Sequence, residues 1–189
     1  MSTDLAAADF DAVFAAFAAS RTSTTVFRWE ALQHYDVATD EPSLVAFREG
    51  TPRPERSVRT SPWLARIATS TIAGKAWQRV RHVVEPLSEY LRWELLAYVE
   101  SQSAGEQITV HTTPDTPVVP DFWLFDGEPA DQRAILMHYD AAGVPRRYEL
   151  VEHNDPRFPG LVDVRDQVSA AAVPLNQFLA AREVGVHAA

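Results

Sequence analysis

Two arginines, Arg79 and Arg81, flank Val80 in the stretch AWQRVRHVV, and Tyr90 and Glu94 stand four residues apart shortly after it. Residues two apart in an extended chain share a face. The spacing therefore predicts a strand over 76–84 with Trp77, Arg79, Arg81 and Val83 on one side and Gln78, Val80, His82 and Val84 on the other. Paired guanidinium groups of this kind either clamp an anionic ligand or are consumed by carboxylates of the protein itself. In a helix, residues four apart are neighbours, so Tyr90 and Glu94 are expected to meet at the edge of an apolar face, as a buried hydrogen bond or as an acid–base pair. His138, in ILMHYDAAG, shares a face with Asp140 of its own strand. Arg79, Arg81, Tyr90, Glu94 and His138 form the candidate set for anion or ligand binding; no residue is assigned a catalytic role.

The elements that must position these groups follow from pattern. Gly74 ends a helix that carries Trp63 to Ala68, because glycine best adopts the left-handed conformation that closes a helix. Glu85-Pro86 ends the strand, and the helix after it, over 85–102, carries an apolar stripe of Leu87, Tyr90, Leu91, Leu95 and Tyr98. Upstream, Asp4 to Ser20 has Phe10, Val13, Phe14 and Phe17 at helical spacing. Thr25 to Asp36 then reads as a strand with Phe27 and Trp29 opposite Arg28 and Glu30, and Glu41-Pro42 opens a short helix that Gly50 stops. Residues 50–62, GTPRPERSVRTSP, form a Pro/Arg loop expected to be mobile, either a solvated connection or a lid over an anionic ligand. Further on, Ile108 to Thr112 is a strand, and Phe122 to Asp126, Ala134 to Asp140 and Arg146 to Glu152 form an antiparallel meander. Leu161 to Gly185 is a helix broken or kinked at Pro174. The expected architecture is a single α+β domain over 1–189, with a mixed or antiparallel sheet of about five to six strands, packed with N-terminal, central and C-terminal helices.

The order SPWLARI, AGKAWQRVRHVVEPLSEYLRWEL, DFWLFDG, ILMHYDAAG, YELVE and AAAVPLNQFL resembles the actinobacterial family DUF6879, a domain of unknown function. The likeness runs from about Phe27 to Leu179 and is most specific from Arg79 to Glu94. Members of that family are often encoded beside small helix-turn-helix regulators. The resemblance therefore implies a regulatory or partner-binding role, with such a regulator or another protein as partner.

Composition narrows the classes further. The chain has 189 residues, 46% of them hydrophobic, with five tryptophans and no cysteine. Thiol nucleophiles, disulfides and thiolate metal sites are excluded, and a reducing cytoplasm is the expected location. The acidic start MSTDLAAADFDAVF lacks the basic segment of a secretory signal, and no apolar run is long enough to span a bilayer. Net charge is −9, yet residues 48–82 hold seven arginines and Lys75 against Glu49 and Glu55, so that window is +6 and the remainder −15. Such an acidic chain repels a phosphate backbone, so no direct nucleic-acid contact is expected; the basic window suits an anionic small molecule or an acidic partner. No glycine-rich phosphate loop or G-x-S-x-G elbow is present, and the six histidines lack metal-ligand spacing, so neither cofactor nor metal is expected. Two readings remain. The first is a cytoplasmic binding or regulatory module. The second is a small metal-independent enzyme acting on an anionic metabolite, with the arginines as clamp, Tyr90 or His138 as acid and Glu94 or Asp140 as base. Convergence of the candidate set on a concave pocket favours a ligand site, whereas arginines locked to internal carboxylates leave a docking surface.

Overall fold

Eight strands form one mixed sheet in the order β1-β7-β6-β5-β2-β3-β4-β8. The computed structural model describes residues 2–36 and 41–182, and these eight strands and the helices that accompany them are the elements of those residues. The strands are β1 (Ser2–Leu5), β2 (Ser23–Glu30), β3 (Ala76–His82), β4 (Glu106–His111), β5 (Asp121–Gly127), β6 (Arg133–Tyr139), β7 (Pro145–Glu152) and β8 (Val173–Pro174). Six helices accompany them: α1 (Ala7–Ala19), α2 (Glu41–Glu49), α3 (Pro62–Ile72), α4 (Glu89–Ser103), α5 (Phe158–Ala171) and α6 (Leu175–Ala180). Strands β2, β3 and β4 run parallel, and the other pairings are antiparallel.

The α+β class and the meander of β5, β6 and β7 agree with the sequence pattern, but the sheet has eight strands rather than five to six. The two extra strands lie at its edges and are short. Ser2–Leu5, expected to belong partly to the first helix, instead pairs antiparallel with β7, and the helix starts at Ala7. Val173–Pro174 pairs with β4 where the sequence suggests a kink, and so separates α5 from α6. Residues 183–185 of the expected last helix lie outside the described residues. The strand expected over 25–36 ends at Glu30, leaving residues 31–36 to cross the end of the sheet.

Capping explains where α3 and α4 begin. Ser61 accepts from the Leu64 backbone N–H with Pro62 in the first turn, and Ser88 accepts from the Leu91 N–H at 3.1 Å with Glu89 in the first turn of α4. Gly74 closes α3 at φ 93°, a conformation that costs glycine little.

Helix α5 covers one face of the sheet, where Phe158, Leu161 and Val168 pack on Phe27, Trp29, Val80, Phe122 and Leu136. The opposite face carries α1, α3, α4 and α6. There, an aromatic cluster of Phe14, Trp77, Trp123 and Phe125 occupies one end, and Val83, Leu91, Leu95, Ile108 and Phe178 occupy the other. Along β3 this face reads Trp77, Arg79, Arg81, Val83, so two arginines fall between two apolar clusters.

The turn between β6 and β7 presses against residues 34–36. Gly143 has φ +81°, its carbonyl accepts from the Asp36 N–H, and a Cβ placed there would lie 2.6 Å from the His34 carbonyl oxygen. This contact holds the segment that carries Tyr35 into the buried site. Gly143→Ala is expected to cost about 2 kcal/mol, from left-handed strain plus the clash, measured as a lowered urea midpoint.

Candidate functional site

Arg79 and Arg81 project from the same face of β3, as their spacing requires, and both are buried. Parallel pairing aligns Arg28 with Arg79 and Glu30 with Arg81, so four charged residues of two adjacent strands meet on one patch. Arg79 Nη1 donates to Glu30 Oε1 at 2.5 Å, and its Nε donates to Glu106 Oε1 on β4 at 2.8 Å. Arg81 Nε donates to Glu94 Oε2 on α4 at 2.7 Å, and its Nη1 donates to the His82 carbonyl at 3.0 Å. Arg28 donates to Glu30 and to Asp121, each at 3.2 Å. Three tyrosines donate into the array, and the hydroxyl of a fourth, Tyr139, accepts from Arg28 Nη2 at 3.2 Å. The Tyr98 hydroxyl donates to Glu30 Oε2 at 2.5 Å, that of Tyr35 to Asp121 Oδ2 at 2.5 Å, and that of Tyr90 to Glu94 Oε1 at 3.0 Å. Arg79 also lies over the Tyr98 ring and Arg81 over the Tyr35 ring.

The array holds three guanidinium groups, Arg28, Arg79 and Arg81, and four carboxyl groups, Glu30, Glu94, Glu106 and Asp121. They do not titrate alike. Burial pushes Glu30 up, but Arg79, Arg28 and Arg81 outweigh it and hold this carboxyl well below its ordinary range. For Glu94, Glu106 and Asp121 burial prevails over the neighbouring arginines and pushes the carboxyls up. Burial also raises the Tyr139 phenol to about 12. Arg81 Nη2 and Glu106 Oε2 are buried with no hydrogen-bond partner among the described residues.

Above the array is a cavity of about 650 Å³. Arg28, Glu30, Arg79 and Glu94 contribute to its floor, Tyr90, Trp93 and Tyr98 of α4 to one wall, and Glu55, Arg56 and Trp63 to the side formed by the Pro/Arg loop and α3. That loop is tied down: Arg53 reaches Glu100 at 2.8 Å, and Arg56 reaches the Ala97 carbonyl at 3.0 Å.

Residues 8–180 match the family model of a domain of unknown function, DUF6879. The chain belongs to the DUF6879 family. Comparisons with curated proteins and with solved structures returned no match. Within this DUF6879 chain, Arg79, Arg81, Tyr90 and Glu94 come together, while His138 does not join them. It lies beyond Leu136 on the α5 face of the sheet, where its Nε2 is 3.3 Å from Glu149 Oε2 and 3.0 Å from Arg147 Nη2. Arg79, Tyr90 and Glu94 line the cavity, whereas Arg81 is fully buried and does not, and both arginines are locked to internal carboxylates.

Sequence reasoning missed Arg28, Glu30, Tyr35, Tyr98, Glu106 and Asp121 as members of the array. A usable signal existed for some of them. Arg28 and Glu30 alternate with Phe27 and Trp29, and Tyr90, Glu94 and Tyr98 recur every fourth residue of α4. No described helix is long and apolar enough to cross a membrane.

Proposed function

We propose that this chain is a binding module whose ligand occupies the cavity above the Arg–carboxylate–tyrosine array. The observation that carries the reading is a 650 Å³ cavity with a floor of buried, mutually paired charges where an apolar core would be more stable. Arg79 lines the cavity and uses Nε and Nη1 on Glu106 and Glu30, which leaves Nη2 with no hydrogen bond among the described residues, and Glu94 keeps lone pairs beyond those used by Arg81 and Tyr90. Such a floor suits a small polar ligand with both an acceptor and a donor better than a simple anion. Catalysis is less well supported, because burial and Glu94 push the Tyr90 phenol well above its ordinary value and make its proton harder to release.

The regulatory part of the proposal, with a helix-turn-helix regulator as partner, rests on the family resemblance. A net charge of −9 suits an encounter with a basic partner. The test is a thermal-shift screen with free amino acids, and with dicarboxylates as the simple-anion comparison, on the wild type and on Ala97→Trp, which fills the cavity from α4. A ligand at a hundred times its Kd stabilises by about 2.7 kcal/mol, a rise in Tm of roughly 5–10 °C. That rise is expected for the wild type and lost in A97W; equal shifts in both would place binding elsewhere.

A further inference from the structure

Most arginines of this chain end on a carboxylate, including Arg28, Arg79, Arg81, Arg157 and Arg165. Arg21 and Arg66 have no ion pair among the described residues. Both line a second cavity, of about 880 Å³, between α1, α3 and the start of β2, and Lys75 lines it with them. None of the residues around this cavity is acidic, in a protein of net charge −9.

The rest of the lining has two characters. Ala15, Ala18, Ala65 and Ala73 supply small apolar surface, and Ser23, Thr24, Thr69 and Ser70 supply hydroxyl-bearing side chains. The cations are held apart from the buried array. Lys75 Nζ is fixed by the Ser20 carbonyl at 2.8 Å, and the Arg66 guanidinium lies over the Phe14 ring at 5.8 Å. Burial lowers the Lys75 ammonium from its ordinary value, the direction expected for a cation with no carboxylate beside it.

From these observations we infer that the cleft between α1 and α3 is a second ligand site, which takes an organic anion with an apolar body and a carboxylate or phosphate head. The alanine walls accept the body, and Arg21, Arg66 and Lys75 accept the head. Uncompensated positive charge at a partly apolar cleft is the complement of that ligand class, and it is the feature the ion-paired array lacks.

The test is isothermal titration of the full chain with decanoate and decyl phosphate below their micelle concentrations, alongside decanol, inorganic phosphate and a glutamate-rich peptide. Decanoate or decyl phosphate is expected to bind, whichever head fits better identifying the anion. Decanol and inorganic phosphate should each bind at least tenfold more weakly, on the order of one lost charged contact or of the lost apolar body. Arg21→Gln with Arg66→Gln, both exposed side chains outside the array, is expected to weaken binding by roughly tenfold or more while the Tm of the free protein is retained. The site is overturned if neither amphiphile binds, if decanol binds as tightly as decanoate, if the double variant binds unchanged, or if the peptide binds more tightly than both amphiphiles. Ala97→Trp serves as control: it should leave this binding intact, so that failure here and failure at the other cavity are told apart.

Discussion

Glu30→Gln is expected to lower stability at neutral pH by roughly 3–5 kcal/mol, whereas Glu106→Gln, in the same array, is expected to cost no more than about 1 kcal/mol. Both glutamates are buried and both accept from Arg79. They differ in what else depends on them. Glu30 also accepts from Arg28 and from Tyr98, and three guanidinium groups hold it ionised. An amide there leaves Arg28 and Arg79 short of counter-charge in a buried site. Among the described residues Glu106 accepts from Arg79 alone and its second oxygen has no partner, and burial already favours its neutral form. The pH dependence follows in sign. A carboxyl held below its ordinary value of 4.5 contributes stability that is present above that pH and lost as pH falls through the folded value, so Glu30→Gln should flatten the acid limb of the stability curve. Urea unfolding from pH 8 down to about 2 measures both effects, and equal costs for the two variants would contradict this division of charge.

The division was only partly legible beforehand, and the reason is topological. Alternation within one strand is local, so Arg79 and Arg81 could be placed on a common face, and helical spacing brought Tyr90 to Glu94. What the arginines meet is decided by which strands neighbour β3. Glu30 arrives from β2 and Glu106 from β4, both parallel to β3, and parallel neighbours are joined by crossovers whose register no short pattern records. Asp121 reaches the array because β5 pairs with β2 on the other side. The same pairing decides the fate of His138. Its opposition to Met137 and Tyr139 was readable, but only the order β6-β5-β2-β3 puts Met137 and Tyr139 on the charged face and His138 behind it. The edge strands were missed for a different reason: Ser2–Leu5 and Val173–Pro174 are too short to show a period.

Arg81→Met should be the more informative loss. Arg81 is fully buried and supplies the cation beside Glu94, so its removal leaves that carboxyl with only the Tyr90 hydroxyl and is expected to cost about 3–5 kcal/mol at neutral pH. Burial already pushes Glu94 up, and without Arg81 it should rise further. A carboxyl raised in the folded state contributes stability that is fully present below its ordinary value, here 4.5, and is lost as pH rises through the folded value. The variant should therefore stand closest to the wild type in acid and fall progressively behind as pH increases above that value. Adding Glu94→Gln removes the stranded charge while its amide oxygen can still accept from Tyr90, so the double variant should be less destabilised than the sum of the two single changes by roughly 2 kcal/mol. It should also lose the extra pH dependence. Full recovery is not expected, because Arg81 also donates to the His82 carbonyl, which methionine cannot satisfy. Additive costs, or a deficit in R81M that does not change with pH, would mean that the pair contributes by packing and not by charge.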